Sequence, residues 1–186
     1  DITINIENVV SDELKLDFHF NEVYNNDLSK EQKLQHIDSA QILVDYQKDS
    51  DSLKTKNLFK IANRYFQLLE YDKYKTVVQR ISDLGNRNKD TSIIAKSQYY
   101  LGDYYFYTSK NDSAYYYYLA AEKKYTKIND KINLANTKLH KAYILSYEKD
   151  FLGSETETIR VLNIANEIND NSLIYECYVN LGSSLL

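Results

Sequence analysis

The stretch IAKSQYYLGDYY at residues 94–105, followed by DSAYYYYLAAEKKY at residues 112–125, decides the fold. In the first half Ile94, Gln98, Leu101 and Tyr105 recur at helical spacing, and Gly102 beside them leaves room for a second backbone to approach. Lys110, Asn111 and Asp112 then interrupt the pattern, with Asp112 expected to cap the next helix by accepting a backbone N–H bond. Ala114, Tyr118, Ala121 and Tyr125 resume it. A Gly inside a helix costs about 1 kcal/mol relative to Ala, so Gly102 points to close helix packing that recovers the loss. The two halves read as an antiparallel helix pair.

Outward from this pair, Ala62, Gly102, Ala142 and Gly182 stand 40 residues apart at equivalent points of four similar stretches. Asn88-Lys89-Asp90, Ile128-Asn129-Asp130 and Ile168-Asn169-Asp170 close successive units at the same interval. A fixed period of this size is the signature of a solenoid, in which each unit buries its apolar stripe against its neighbours. The units are expected at 51–90, 91–130 and 131–170, with a partial one at 171–186.

The first unit places Leu58, Ile61, Ala62 and Tyr65 on one helix and Tyr74, Val78 and Ile81 on the next, with Tyr71 and Asp72 at the turn. The third has Leu139, Ala142 and Leu145, then Gly153 and a capping box of Ser154 and Glu157, which is expected to open its second helix near Thr156. The last first-helix, Leu173 to Leu186 around Gly182, has no second helix after it, and its partner is expected to lie beyond the sequence. With Asp1 in place of a Met, both ends are expected to be cut.

Upstream of residue 50 the repeat fades. Ser29 and Gln32 form a capping box ahead of Leu34, Ile37, Leu43 and Val44, so a helix is expected over 29–47. Leu14, Leu16, Phe18 and Phe20 alternate as a strand would, whereas Ser11-Asp12-Glu13 offers a helix start. The reading favoured is a degenerate helix pair within 1–50, with residues 1–10 as a loose lead-in.

Composition supports helices and excludes some partners. The chain has no Pro and four Gly, so the strongest helix breakers are almost absent. Nineteen Tyr against no Trp and no Met make tyrosine the large core residue, with a hydroxyl that reaches water or a polar partner. A net charge of -4 argues against a nucleic-acid surface, which needs clustered Lys and Arg. No apolar stretch approaches the roughly 18 residues that span a bilayer. Neither nucleic acid nor membrane is an expected partner of this segment, and its compartment stays open.

The chemistry-bearing residues are sparse. His19, His36, His140 and Cys177 show no metal-ligand spacing and read as surface or packing residues. Asp49 and Asp51 imitate the start of a calcium loop without its Gly and Glu, and read as a solvated turn. Asn111-Asp112-Ser113 matches a glycosylation acceptor but reads as a turn. Of the run Tyr115 to Tyr118, Tyr118 is the core member, since four successive residues point all round a helix. Four dispersed Gly build no phosphate-cradling loop and no nucleophile turn is present, so no catalytic residue, metal or cofactor is expected.

Leu101, Gly102 and Tyr105, followed by Ala114, Tyr118 and Ala121 at these distances, resemble the tetratricopeptide repeat over residues 51–186. The family period is near 34, and the step of 40 here resembles its long variant in bacterial regulators. Armadillo and HEAT pairs share the longer period and compete with this assignment. No Pro closes a unit, no Trp opens one, and Lys141 stands where Ile61, Leu101 and Leu181 are apolar.

The resemblance implies an all-α, antiparallel helix-pair solenoid wound as a right-handed superhelix whose first helices line a concave face. It puts Lys56, Phe59, Asn63 and Phe66 there, then Lys96, Tyr99, Asp103, Phe106 and Tyr107, then Asn136, Leu139, Tyr143 and Tyr147. Such an aromatic groove suits a protein segment, extended peptide or helix. The family's carboxylate clamp is not expected, because Phe59 occupies its Lys place before Asn63. The implied function is a non-enzymatic peptide-binding scaffold in the sensing or interaction part of a longer bacterial regulator, with a helix-turn-helix or kinase module as an analogy only. The competing function is a structural spacer or homo-oligomerisation module with an empty groove.

Overall fold

The computed structural model describes residues 12–46 and 50–183, and all regular structure among them is α-helix. In chain order the helices are α1 Asp12–Glu22, α2 Lys30–Tyr46, α3 Asp51–Gln67, α4 Tyr71–Asn88, α5 Thr91–Tyr107, α6 Asn111–Lys127, α7 Lys131–Tyr147, α8 Phe151–Ile168 and α9 Asn171–Ser183. The expected lead-in at residues 1–10, and Asp49, lie outside the described residues.

From α3 onward the helices follow a 20-residue step, half the period visible in the sequence. Leu69, Lys89, Ser109, Asn129, Lys149 and Asn169 all adopt left-handed backbone, with φ between 53° and 64°. The residue after each donates its N–H back into the helix just ended: Glu70 to Tyr65 O at 2.9 Å, Asp90 to Gly85 O at 2.9 Å, Lys110 to Tyr105 O at 2.8 Å. Asp130, Asp150 and Asp170 repeat the bond to Tyr125, Leu145 and Ala165. Each helix therefore ends in a Schellman turn that satisfies its orphan carbonyls without a glycine.

The same residues start the next helices. Carboxylates of Asp90, Asp130, Asp150 and Asp170 accept from the N–H of Ile93, Asn133, Gly153 and Leu173 at 2.9–3.1 Å. One residue thus closes one helix and caps its successor, which holds each of these connections at two or three residues and forces an antiparallel return. Ser50 caps α3 by accepting from Leu53 N at 3.3 Å.

Three local expectations need correction. Asp112 is not the cap of α6: that position is Lys110, which makes no side-chain cap bond, and Asp112 sits in the first turn where its charge meets the helix dipole. Asn111-Asp112-Ser113 is accordingly helix and not turn. The Ser154 capping box does not form either, because α8 begins at Phe151 under the Asp150 cap and Ser154 is fully buried inside it. In both cases the 20-residue step sets the start and overrides the local signal.

The chain divides into two compact units, residues up to Leu84 and residues from Gly85, so the division falls inside α4 and cuts across the 51–90 repeat. In the first unit α1 is helical despite its alternating pattern, with Leu16, Phe20 and Val23 buried and Leu14 and Phe18 exposed. The Ser29 box forms as read, Ser29 N donating to Gln32 Oε1 at 2.9 Å and Gln32 N to Ser29 Oγ at 3.3 Å. The buried set Leu58, Ile61, Ala62, Tyr65, Tyr74, Val78 and Ile81 is the one expected. Tyr65 donates to Asp38 at 2.6 Å, and Lys73 pairs with the same carboxylate at 3.0 Å, joining α2, α3 and α4. His19 and His36 meet nitrogen to nitrogen at 2.9 Å, and burial, then the neighbouring His36, holds His19 below the usual histidine range.

In the second unit Gly102 lies against the ring of Tyr118, and a Cβ added there would come within 2.5 Å of it. This is the close approach the small-residue repeat predicts. At Gly182 the same position is open, with nothing within 4 Å of a Cβ, because no helix among the described residues covers that side of α9. Ala135, Leu139, Val161, Ala165, Leu173 and Cys177 form one apolar cluster across α7, α8 and α9. Tyr118 is fully buried and Tyr116 is exposed, as the run of four tyrosines predicts.

Lys141, the polar exception, is 3% exposed and is paired. Its Nζ lies 2.6 Å from Glu122 Oε2, while Lys138 Nζ lies 2.5 Å from Glu122 Oε1 and 3.4 Å from Glu157 Oε2. Burial pushes the Glu122 carboxyl up, but the two ammonium groups outweigh it and hold it below the usual range. The stem of Lys141 fills an apolar position and its head finds its counter-ion on α6.

Candidate functional site

The first helices of successive pairs in the second unit, α5, α7 and α9, share one side, and a cleft of about 410 Å³ opens between them. Phe106 of α5, Tyr143, Ser146 and Tyr147 of α7, and Val179, Asn180 and Ser183 of α9 line it. The helical step places 143 and 147 one turn apart on the same face, so both rings reach the cleft. Phe106 and Tyr147 meet edge to face at 5.7 Å, and Tyr147 remains 72% exposed. Burial and the Glu176 carboxylate push the Tyr143 phenol up to about 12, so it stays a hydrogen-bond donor at neutral pH. The lining is aromatic and hydroxylic, without a charged side chain.

The structure therefore gathers Phe106, Tyr143 and Tyr147 from the expected groove set and adds Ser146, Val179, Asn180 and Ser183. Lys96, Tyr107 and Asn136 lie outside the cleft lining: Lys96 is exposed with its ammonium 5.8 Å from the Tyr100 ring, Tyr107 is 51% exposed, and Asn136 is half-buried. Leu139 is buried in the core. In the first unit Lys56 and Asn63 are exposed and Phe66 is half-buried against Tyr74 at 5.1 Å. Phe59 is 8% exposed and so presents packing surface, with little left for a ligand.

Tyr99 and Asp103 have polar atoms committed inside the protein. Tyr118 Oη lies 2.6 Å from Asp103 Oδ1 and 3.0 Å from His140 Nδ1, and Tyr99 Oη lies 3.1 Å from His140 Nε2. Burial, then the Asp103 charge, pushes the Tyr99 phenol far above the usual tyrosine range. His140, read from sequence as an ordinary packing residue, links α5, α6 and α7. The signal that could have found it is periodic: Asn180 stands 40 residues later and donates to Thr158 Oγ1 at 2.7 Å and Ser154 Oγ at 3.2 Å, repeating the His140 to Tyr118 contact one unit on.

Among the described residues no three His, Cys, Asp or Glu side chains are gathered as a metal site, and no helix is long and apolar enough to cross a membrane. Cys177 is fully buried, and burial pushes its thiol up to about 11, which keeps it an inert packing group.

No protein-family model and no curated protein matches the sequence. Solved structures do. Aspartyl phosphate phosphatase F from Bacillus subtilis superposes with a TM-score of 0.80 at 12% identity, over 99% of this chain and 47% of that one. BtubC from P. vanneervenii gives 0.74 at 14% identity, over 93% of this chain and 70% of that one. A STAND-type signal transduction ATPase with a tetratricopeptide repeat sensor, from Pyrococcus horikoshii, gives 0.73 at 15% identity, over 94% of this chain and 26% of that one. This chain spans less than half of the first and about a quarter of the last. At such identities the likeness concerns the fold, and with the helix pairs, the turns and the Gly102 crossing it establishes a tetratricopeptide-like helical-repeat solenoid.

Proposed function

We propose that this chain is a non-enzymatic scaffold that holds a protein segment in the cleft formed by α5, α7 and α9. The observation that carries this reading is the exposed Tyr147 ring packed edge to face on the half-buried Phe106, over a lining that contains no charged group. Flat rings give contact area at small entropy cost, and Ser146 adds a hydroxyl, while the Tyr143 and Ser183 oxygens, whose hydrogens go to Glu176 and Asn180 O, can accept from peptide N–H groups. The lining offers no acid and base pair for catalysis. A protein named for its tetratricopeptide repeat sensor shares the fold, which supports a sensing or interaction role within a longer regulatory protein.

Peptides selected on the immobilised chain from a display library, then measured by fluorescence polarisation, test this. Replacing Phe106 and Tyr147 together by Ala is expected to weaken binding at least tenfold; selected peptides that bind the double variant equally well refute the site. A second reading, self-association without a groove ligand, is favoured by Tyr175, Tyr178 and Val179, which are 70%, 60% and 53% exposed at helical spacing on α9. Light scattering that rises with concentration and is abolished by Tyr178→Glu supports that alternative.

A further inference from the structure

The hydrogen-bond chain through His140 has one consistent assignment of protons. A carboxylate has no proton to give, so at 2.6 Å Tyr118 must donate its hydroxyl hydrogen to Asp103 Oδ1. Only lone pairs of the Tyr118 oxygen then remain for His140 Nδ1 at 3.0 Å, so Nδ1 carries the hydrogen. In a neutral imidazole Nε2 is then the acceptor, and Tyr99 donates to it at 3.1 Å. The opposite tautomer would need the Tyr118 hydrogen at Nδ1 and would leave its oxygen facing Asp103 with nothing between them.

A proton added at Nε2 reverses the end of this chain. Tyr99 becomes the acceptor, its own hydrogen turns away from His140, and a cation appears behind the Tyr143 ring. The side chain of His140 is 27% exposed, so protons reach it, and its ring lies 5.8 Å from that of Tyr143, which lines the cleft. The groups facing it are Tyr99 and Asp103 from α5, Tyr118 from α6, and Tyr143 on α7, which is bonded to Glu176 of α9. Asp103 Oδ1, 3.4 Å from Nδ1, stands ready to pair with the imidazolium. Of these side chains only imidazole ordinarily titrates between pH 5 and 8. The equivalent positions one unit away hold Tyr100 and Asn180, neither of which titrates as imidazole does, so the neighbouring units do not repeat the response.

We propose that His140 is a specificity-determining residue of the groove, acting from behind Tyr143: neutral, it leaves the Asp103 carboxylate unopposed, and protonated, it offsets that charge and favours acidic segments. The proposal rests on the groove reading above. It is tested with two dyes that share an aromatic frame, anionic 8-anilinonaphthalene-1-sulfonate and uncharged N-phenyl-1-naphthylamine, titrated by fluorescence at pH 8 and pH 5.5.

The anionic dye is expected to bind about 3- to 10-fold tighter at the lower pH, as one unit charge at roughly 7 Å in a partly wet site would give. The neutral dye is expected to be unchanged, and His140→Asn, the residue found at the next unit's equivalent position, is expected to abolish the gain. Dye binding that Tyr147→Ala does not weaken overturns the groove reading. Binding that Tyr147→Ala does weaken, with equal pH response for both dyes or in His140→Asn, overturns this proposal and leaves the groove standing. Independently of any variant, long-range nitrogen–proton NMR of the intact chain at pH 8 should show His140 as the Nδ1–H tautomer, and the Nε2–H tautomer refutes the mechanism.

Discussion

Glu122→Gln is expected to be the most destabilising single polar change in the second unit. Glu122 is 16% exposed and holds two ammonium groups, Lys141 at 2.6 Å and Lys138 at 2.5 Å. Lys138 retains Glu157 at 3.4 Å after the change. Lys141, only 4% exposed at its side chain, keeps no carboxylate and just the Tyr115 ring, 5.2 Å from its ammonium. Breaking one side of a buried pair costs about 3–5 kcal/mol, and the Gln carbonyl recovers part, so a loss of about 3 kcal/mol is expected in urea titrations followed by far-UV circular dichroism.

Lys141→Met, by contrast, restores an apolar residue where Ile61, Leu101 and Leu181 stand and leaves Glu122 with Lys138, so its cost is expected within about 1 kcal/mol. In the Met background Glu122→Gln loses most of its penalty, a coupling of about 2 kcal/mol. Glu122→Gln alone, with Lys141 retained, also acquires a distinctive pH response. An unpaired buried Lys141 has its folded pKa lowered, the unfolded chain then binds more protons up to a pKa of about 10.4, and stability rises with pH toward that value. The native protein behaves oppositely at acid pH: the lowered Glu122 pKa contributes stability that is complete above the ordinary 4.5 and is lost as pH falls through the folded value. Additive losses within about 0.5 kcal/mol, or a Glu122→Gln penalty unchanged at pH 10, refute the assignment.

Three further outcomes follow from the backbone and the helix crossing. Gly102→Ala is expected to cost about 1–3 kcal/mol by urea titration, because its Cβ would meet the Tyr118 ring at 2.5 Å, whereas Gly182→Ala, with nothing within 4 Å, should stabilise α9 slightly. Leu69→Gly should raise stability by about 1 kcal/mol, since Leu69 holds φ at 62° and is 65% exposed, so little packing is lost; an unchanged midpoint counts against left-handed strain there. Lys110→Asp should add about 1 kcal/mol by giving α6 the side-chain cap that its neighbours α5, α7 and α8 have, read as a higher midpoint of thermal unfolding.

The helix pairs were legible because small residues and turn triplets recur without gaps, and those positions are where backbones approach and chains reverse. The half-step of 20 was not, because the left-handed residues closing the helices are Leu, Lys, Ser, Asn, Lys and Asn. Only Asn carries a sequence preference for that conformation. The Asp112 and Ser154 caps failed for a related reason: each is a plausible local signal two to four residues past a start already fixed by the Schellman turn before it. In the cleft lining, Phe106, Tyr143 and Tyr147 lie where the tetratricopeptide resemblance puts groove residues, whereas Phe59 is buried, since a first-helix aromatic is turned inward or outward by what packs beside it. His140 reads from the sequence as a surface or packing residue because a lone histidine has no spacing to read, and its meaning comes from Tyr118 and Asp103, on other helices.

The polar contacts between units carry one more consequence. His140 to Tyr118 and Asn180 to Thr158 are the same contact displaced by 40 residues, a side chain on a first helix bonded to the second helix of the unit before. Apolar packing alone tolerates sliding of one helix over another, because a ring or an aliphatic stem finds another groove one turn away. A buried hydrogen bond does not, since a shift by one turn strands a donor and an acceptor at about 1–3 kcal/mol. These bonds therefore fix the register in which α5, α7 and α9 stand side by side, and with it the spacing of Phe106, Tyr147 and Val179 across the cleft. On that ground Thr158→Val, which keeps the shape and removes the acceptor, is expected to weaken peptide capture by the cleft even though Thr158 is fully buried. A variant that folds with native stability and binds selected peptides unchanged would separate the register of the helices from the affinity of the groove.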